Sequence, residues 1–193
     1  MSSDTLDFYA NNAAAYAARS SVNPRLESFL KLVRPSGLIL ELGTGSGQDA
    51  KAMLEQGFDV DPTDGSGELA AEAALLLKRP VKQMLFDELE AVERYDAIYA
   101  SASLLHANRS DLPDIVRRMH RALKPGGWLW ASFKDGPGEG YDALGRYYNY
   151  MSADEVVRFW NSNASWNVVS SESWEGSGYD LAPTLWHSII ARR

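Results

Sequence analysis

The run Leu38-Ile39-Leu40-Glu41-Leu42-Gly43-Thr44-Gly45-Ser46-Gly47 constrains the fold of this chain more than any other stretch. An apolar segment containing one acid leads into three glycines at every second position. The segment reads as a buried parallel strand, and a helix is predicted to start at about Gln48. Glycine lets the backbone turn sharply, take positive φ and meet a ligand without a Cβ in the way. The helix start adds unpaired N–H groups and the positive end of a dipole. Strand, glycine turn and helix in that order make a nucleotide-type cofactor site.

The remaining elements decide what surrounds it. Phe8, Tyr9, Ala13 and Tyr16 fall at helical spacing and predict a short helix within residues 4–20. Asn23-Pro24 reads as an N-cap and first helical position, with Leu26, Phe29, Leu30 and Val33 on one face before Arg34-Pro35-Ser36-Gly37. After the glycine turn, strands are predicted at 58–63, 81–86, 96–100 and 128–134, alternating with helices from Gln48, from Ser66 and from Leu112. This alternation predicts an α/β fold, a Rossmann-like doubly wound and mainly parallel sheet with helices on both faces. Residues 135–140 read as a glycine-rich loop, and Ser152-Ala153-Asp154-Glu155 is a capping box opening a helix through Trp160. The alternating runs 166–174 and 185–191, with no helix between them, predict a C-terminal antiparallel hairpin at one sheet edge.

Composition narrows the partners. At 193 residues with 45% hydrophobic and 23% charged content, the chain is expected to be one globular domain spanning 1–193. A net charge of −7 argues against a phosphate-neutralising surface, so no nucleic acid partner is expected. The absence of cysteine removes disulfides, thiolate metal sites and a Cys nucleophile. The three histidines are too dispersed for a metal site, and none is expected. Nothing approaches the roughly 20 apolar residues of a membrane span, so no membrane is expected and a cytoplasmic location is.

The cofactor class follows from an acid. A dinucleotide fingerprint is G-x-G-x-x-G, but the third fingerprint position here is Gln48. Glu41 would repel a pyrophosphate and suits a cationic, phosphate-free ligand such as S-adenosylmethionine. Glu41-Leu42-Gly43-Thr44-Gly45-Ser46-Gly47 resembles motif I of the class I S-adenosylmethionine-dependent methyltransferases. Asp64-Gly65-Ser66 resembles the acidic loop whose carboxylate chelates both ribose hydroxyls in that family. Phe86-Asp87 resembles its aromatic–acid pair at the adenine, and Leu123-Lys124-Pro125-Gly126-Gly127 its turn before the fifth strand. The resemblance covers residues 5–134, and within the family it is nearest to small bacterial members of ubiquinone-biosynthesis or tellurite-resistance type.

The resemblance implies methyl transfer from S-adenosylmethionine to a small-molecule acceptor by in-line displacement. It implies cofactor contacts from Glu41, Gly43, Thr44, Gly45, Gly47, Asp64, Gly65, Ser66, Phe86 and Asp87, with Asp61 second to Asp64 for the ribose. Ala100 and Ser101 open the segment where the family forms its active-site floor, and Tyr16, with Tyr9, belongs to an N-terminal helical lid segment, 1–36. Alignment and desolvation can supply on the order of 7–11 kcal/mol to such a reaction without a protein nucleophile. His106, whose free imidazole titrates at about 6.5, is the expected general base if the acceptor needs one. The substrate loop is placed at 135–151, where Arg146 could grip an anion and Tyr147 or Tyr148 could bond the acceptor, with Lys134 as a further anion contact. Two other readings stand beside this one: a non-catalytic S-adenosylmethionine-binding regulatory protein, and a nicotinamide-dependent oxidoreductase.

Overall fold

Residues 3–193 are described by the computed structural model, apart from the side chain of Val168; Met1 and Ser2 of the 1–36 segment lie outside it. The chain opens with α1 (Ser3–Asn11), α2 (Ala13–Arg19) and α3 (Leu26–Leu30). The single helix expected within 4–20 is broken at Asn12, whose side-chain amide donates to the Phe8 carbonyl at 2.8 Å and so competes with continuation of the helix. The central strand β1 (Leu38–Leu42) follows, then α4 (Gln48–Glu55), β2 (Asp59–Asp64), α5 (Gly67–Leu77) and β3 (Lys82–Gln83). Next come β4 (Tyr95–Ala100), α6 (Leu112–Ala122), β5 (Leu123–Lys134), the pair β6 (Glu139–Tyr141) and β7 (Tyr147–Asn149), α7 (Ala153–Asn163), β8 (Val168–Ser177) and β9 (Pro183–Arg192).

Seven strands form one sheet in the order β3-β2-β1-β4-β5-β9-β8. Neighbours from β3 to β5 are parallel, while β5–β9 and β8–β9 are antiparallel. The expected doubly wound sheet with its C-terminal hairpin is therefore present. Strand β3 holds only two residues, both exposed, because Phe86 already begins a 3₁₀ turn through Glu88. Residues 135–151, expected as loop, contain the small β6–β7 sheet.

Side-chain alternation sorts the core into two layers. Leu40, Leu42, Ile98, Leu129 and Phe133 pack on one face with Met119 of α6 and Trp160 of α7. Ile39, Tyr99 and Trp130 face Phe29 of α3 and Met53 of α4 on the other. Glu41 therefore points to the second face, yet only at the strand's last turn. The order of crossovers reverses between β1 and β4, which opens a crevice at their carboxyl ends. Among the described residues no helix is long and apolar enough to cross a membrane.

The opposite end of the sheet is bolted by Asp96. Its carboxylate accepts from Arg34 Nε at 2.7 Å and Nη2 at 2.9 Å, from the Leu38 amide at 2.9 Å and from Lys124 Nζ at 3.0 Å. Burial pulls this carboxyl upward, and the bonds from Arg34, Leu38 and Lys124 outweigh it, holding it at about 2. The unfolded carboxyl titrates near 3.9, so the stabilisation is complete above about pH 4 and is lost as pH falls toward 2. Asp96→Asn is expected to cost about 2 kcal/mol at pH 7, with the difference from the parent shrinking below about pH 4; urea unfolding across that range measures it.

Candidate active site

Strand β1 ends where Gly43 takes φ +79°, with Gly45 at +56° and Gly47 at +83°. These are left-handed conformations that residues with a Cβ rarely hold. The turn is sewn to the end of β2: the Gly43 and Thr44 amides both donate to the Thr63 carbonyl, at 2.9 and 2.8 Å. On its other side lies Ser103, whose hydroxyl donates to the Leu42 carbonyl at 2.6 Å. A Cβ on Gly43 would fall 2.4 Å from the Ser103 Cβ, so space as well as φ demands glycine there.

Asp64 ties the turn to the next helix. One carboxylate oxygen accepts from the Gly45 amide at 2.8 Å, the other from the Ser66 amide at 2.9 Å, while Ser66 Oγ caps α5 by accepting from Leu69 N. Burial pushes the Asp64 carboxyl up to about 6 despite the Ser66, Gly45 and Gly65 amides. Glu41 is buried, accepts from the Thr44 hydroxyl, and is pushed up to about 8 by burial first and by the neighbouring Asp49 second. Half-buried Asp49 accepts from the Asn23 amide at 2.7 Å. Among the described residues none of these three acids has a Lys or Arg partner. Burial without a counterion disfavours their charged forms, which is why all three are raised, and a cationic ligand would restore those forms.

A cavity of about 470 Å³ runs from this turn to Lys134 and Arg146, within the usual range of about 300–1,000 Å³ for ligand sites. At its far end two of the Arg146 nitrogens, Nε and Nη2, donate to Asp142 at 2.9 and 2.7 Å. The third, Nη1, reaches the Tyr9 hydroxyl at 3.5 Å, and Tyr9 donates to His106 Nε2 at 2.8 Å. The direction is fixed by the other ring nitrogen: His106 Nδ1 lies 2.7 Å from the Tyr147 carbonyl, which can only accept, so Nδ1 carries the proton. Burial holds the imidazole down at about 3, helped by the Arg146 and Lys134 charges against the Tyr147 hydrogen bond. The mouth is covered by Tyr16 stacked on Tyr179, with centroids 5.7 Å apart, and by Arg19 over the Tyr179 ring at 4.7 Å.

Most of the expected residues converge. Tyr16, Glu41, Gly43, Thr44, Gly45 and Ser101 line the large cavity, as do His106, Arg146 and Tyr148. Asp64, Gly65, Ser66 and Phe86 line a small adjoining one beneath Leu6 of α1. Gly47 and Ala100 support the floor from below, Gly47 as the cap of α4 and Ala100 as the fully buried last residue of β4. Three positions differ. Asp87 sits on the exposed side of the 3₁₀ turn that buries Phe86, outside both cavities. Tyr147 alternates away from Arg146 and Tyr148 on β7, and its hydroxyl bonds Glu139 and the Arg109 amide. Asp61 pairs with Arg94 at 2.9 Å, far from the ribose role.

His106 also differs from a free base, since both ring nitrogens are engaged and the lone pair faces Tyr9. His187 bridges Ser173 Oγ at 2.7 Å and Asp135 Oδ1 at 3.0 Å, lining neither cavity. Asp49, Asp142, Tyr179 and Trp186 were not singled out from the sequence. Asp49, in the first turn of α4, carried the one local signal, an acid two residues after the last glycine.

Residues 14–169 match the model of a family described as a methyltransferase domain. Among solved structures the chain is similar to the 1,6-didemethyltoxoflavin-N1-methyltransferase of Burkholderia thailandensis, which holds 1,6-didemethyltoxoflavin and S-adenosylhomocysteine. That likeness has a TM-score of 0.79 at 20% identity and covers 99% of this chain and 86% of that one. An S-adenosylmethionine-dependent methyltransferase of Methanosarcina mazei gives 0.77 at 16% identity, covering 90% and 99%. Phosphoethanolamine N-methyltransferase 2 of Haemonchus contortus, in complex with S-adenosyl-L-methionine, gives 0.77 at 14%, covering 100% and 60%. At these identities the likeness is one of fold. No curated protein matches the chain by sequence.

The site makes a prediction about His106 alone. Its unfolded imidazole gains a proton near 6.5 and the folded one near 3, so the unfolded state binds more protons in between, and stability falls as pH drops through that interval. Ring-nitrogen NMR is expected to show a neutral, Nδ1-protonated His106 at pH 5; a ring that protonates near pH 6 would contradict this arrangement.

Proposed function

The chain belongs to the methyltransferase-domain family, and from that premise we propose that it methylates a small molecule bound between the glycine turn and the Lys134–Arg146 end of its cavity. Its methyl donor in this reading is S-adenosylmethionine, which, or its product S-adenosylhomocysteine, is held by two of the similar structures. The observation that carries the site reading is the set of three acids, Glu41, Asp49 and Asp64, without cationic partners around a turn rich in backbone N–H groups. Such a set suits a ligand with ammonium and sulfonium charges and no phosphate. S-adenosylmethionine, when bound, would supply an electrophilic methyl carbon whose sulfur leaves as a neutral thioether.

The chain's own residues divide that work. Glu41 and Asp49 would face the cofactor's ammonium group, and Asp64, held rigid by the Gly45 and Ser66 amides, the ribose hydroxyls. Gly65, Ser66 and Phe86 would flank the adenosine. Asp87 has no part in this reading, because its side chain lies outside the cavities. The 1–36 segment acts as a lid through Tyr9 and Tyr16, and the 135–151 segment supplies Arg146 and Tyr148. His106 positions Tyr9 by accepting a hydrogen bond from its hydroxyl, a role that suits an imidazole too weakly basic to take a proton at neutral pH. A small acceptor is favoured by a cavity of about 470 Å³ flanked by Tyr16 and Tyr179, and by the net charge of −7. The similar Burkholderia thailandensis structure holds a small molecule, 1,6-didemethyltoxoflavin, beside S-adenosylhomocysteine.

Methyl-labelled S-adenosylmethionine incubated with the protein and a metabolite extract is expected to place label in a low-mass product. Label confined to protein or nucleic acid would overturn the small-molecule reading. Asp64→Ala, which removes charge-assisted hydrogen bonds, is expected to weaken S-adenosylhomocysteine binding by about 10- to 100-fold in calorimetry.

A further inference from the structure

Two cations lie at the far end of the cavity, and they differ in one respect. Arg146 has its counterion built in, since Asp142 occupies two of its nitrogens. Lys134, the last residue of β5, is 93% buried, its ammonium 4.5 Å from the Tyr148 ring centroid and 5.6 Å from that of Trp186. Among the described residues it has no carboxylate within 4.0 Å and no hydrogen-bond acceptor. Asp180, the acid that acts on it most, is exposed on the β8–β9 connection. The turn between β8 and β9 closes over the ammonium at Gly178, where any Cβ would fall 2.5 Å from Nζ. The chain thus builds a sheltered positive charge beside exposed Asp180 but, among the described residues, without a direct carboxylate partner, and lines the cavity with it.

Among the described residues that line the cavity, this end has no free base. Asp142 is committed to Arg146, and the His106 lone pair is committed to Tyr9. Resting on the methyltransferase reading above, we propose that the acceptor is a small organic anion, ionised before it enters, whose delocalised charge is shared between an atom on the Lys134 ammonium and the atom that takes the methyl group. Charge and atoms then balance without a proton acceptor. The acceptor's lone pair forms the bond to the methyl carbon as the carbon–sulfur bond breaks, and that pair stays on sulfur as a thioether. The acceptor's negative charge and the sulfonium's positive charge vanish together, so no proton is left over. Burial pulls the Lys134 ammonium toward its neutral form, against the pull of Asp180 and with Arg146 reinforcing it, and an arriving anion reverses that tendency. Arg146 meanwhile holds Tyr9, and through it the lid, instead of gripping the acceptor with two nitrogens.

The test uses protein loaded with S-adenosylhomocysteine and a panel of small aromatic and heteroaromatic acids, each paired with its neutral amide or methyl ester. Thermal shift and calorimetry read binding. At least one acid is expected to bind while its neutral partner does not. Lys134→Met is expected to weaken that acid by about tenfold or more while S-adenosylhomocysteine affinity stays within about twofold, and Lys134→Arg to retain most of the binding. Gly178→Ala, which displaces the ammonium without removing it, is expected to weaken the acid too. Neutral partners binding as well as acids, an unchanged acid affinity in Lys134→Met, or no acid binding at all would each overturn the proposal. Failure of S-adenosylhomocysteine to bind the parent protein would instead count against the methyltransferase site itself.

Discussion

The pair of bonds from the Gly45 and Ser66 amides to the Asp64 carboxylate is what the rest of the site depends on. They join the turn after β1 to the turn after β2, so two crossovers share one rigid floor. The glycine turn, left-handed at Gly43, Gly45 and Gly47, brings the Gly45 N–H to the carboxyl end of β2. A carboxylate held by two amides has lost its freedom before any ligand arrives, and that preorganisation lowers the cost of using it. Ser103 closes the same turn from the β4 side and leaves no room for a side chain at Gly43.

From this floor the cavity is polarised. Acids without a cationic partner among the described residues gather at the glycine turn, the sheltered Lys134 ammonium stands at the other end, and Tyr9, His106 and Arg146 form a hydrogen-bonded set beside it. Separating opposite charges within one cavity is expensive for an empty protein, and each end is stabilised by a ligand of the other sign. That hydrogen-bonded set is built from three distant parts of the chain: α1, the turn after β4 and the residue before β7. Its members are neutral or internally paired, so neither end is screened by them.

The cofactor half was legible in the sequence because its requirements are local. Glycines at every second position, an acid before them and an acid at the end of the next strand are all set within about thirty residues, and the strand alternation placed them at one sheet edge. Asp87 was misread because a single 3₁₀ turn decides which of two adjacent side chains is buried, and no pattern in Phe86-Asp87-Glu88 encodes that. Tyr147 was misread because 135–151 looked like loop. Once it pairs as β6–β7, strand alternation turns Tyr147 away and leaves Arg146 and Tyr148 in the cavity. Tyr179 and Trp186 reach the site only by the fold of the C-terminal hairpin, which composition cannot show. His106 was found by position, but its state is set by burial and by two partners remote in sequence, Tyr9 and Tyr147.

The central claim is that the glycine floor is built for a cationic, phosphate-free nucleoside cofactor and not for a dinucleotide. Isothermal titration of the parent protein with S-adenosylhomocysteine and, separately, with NAD tests it most directly, because both carry adenosine and they differ in charge and phosphate. Saturable binding of S-adenosylhomocysteine with no detectable heat from NAD is the predicted result. Binding of NAD, with none of S-adenosylhomocysteine, would contradict the account.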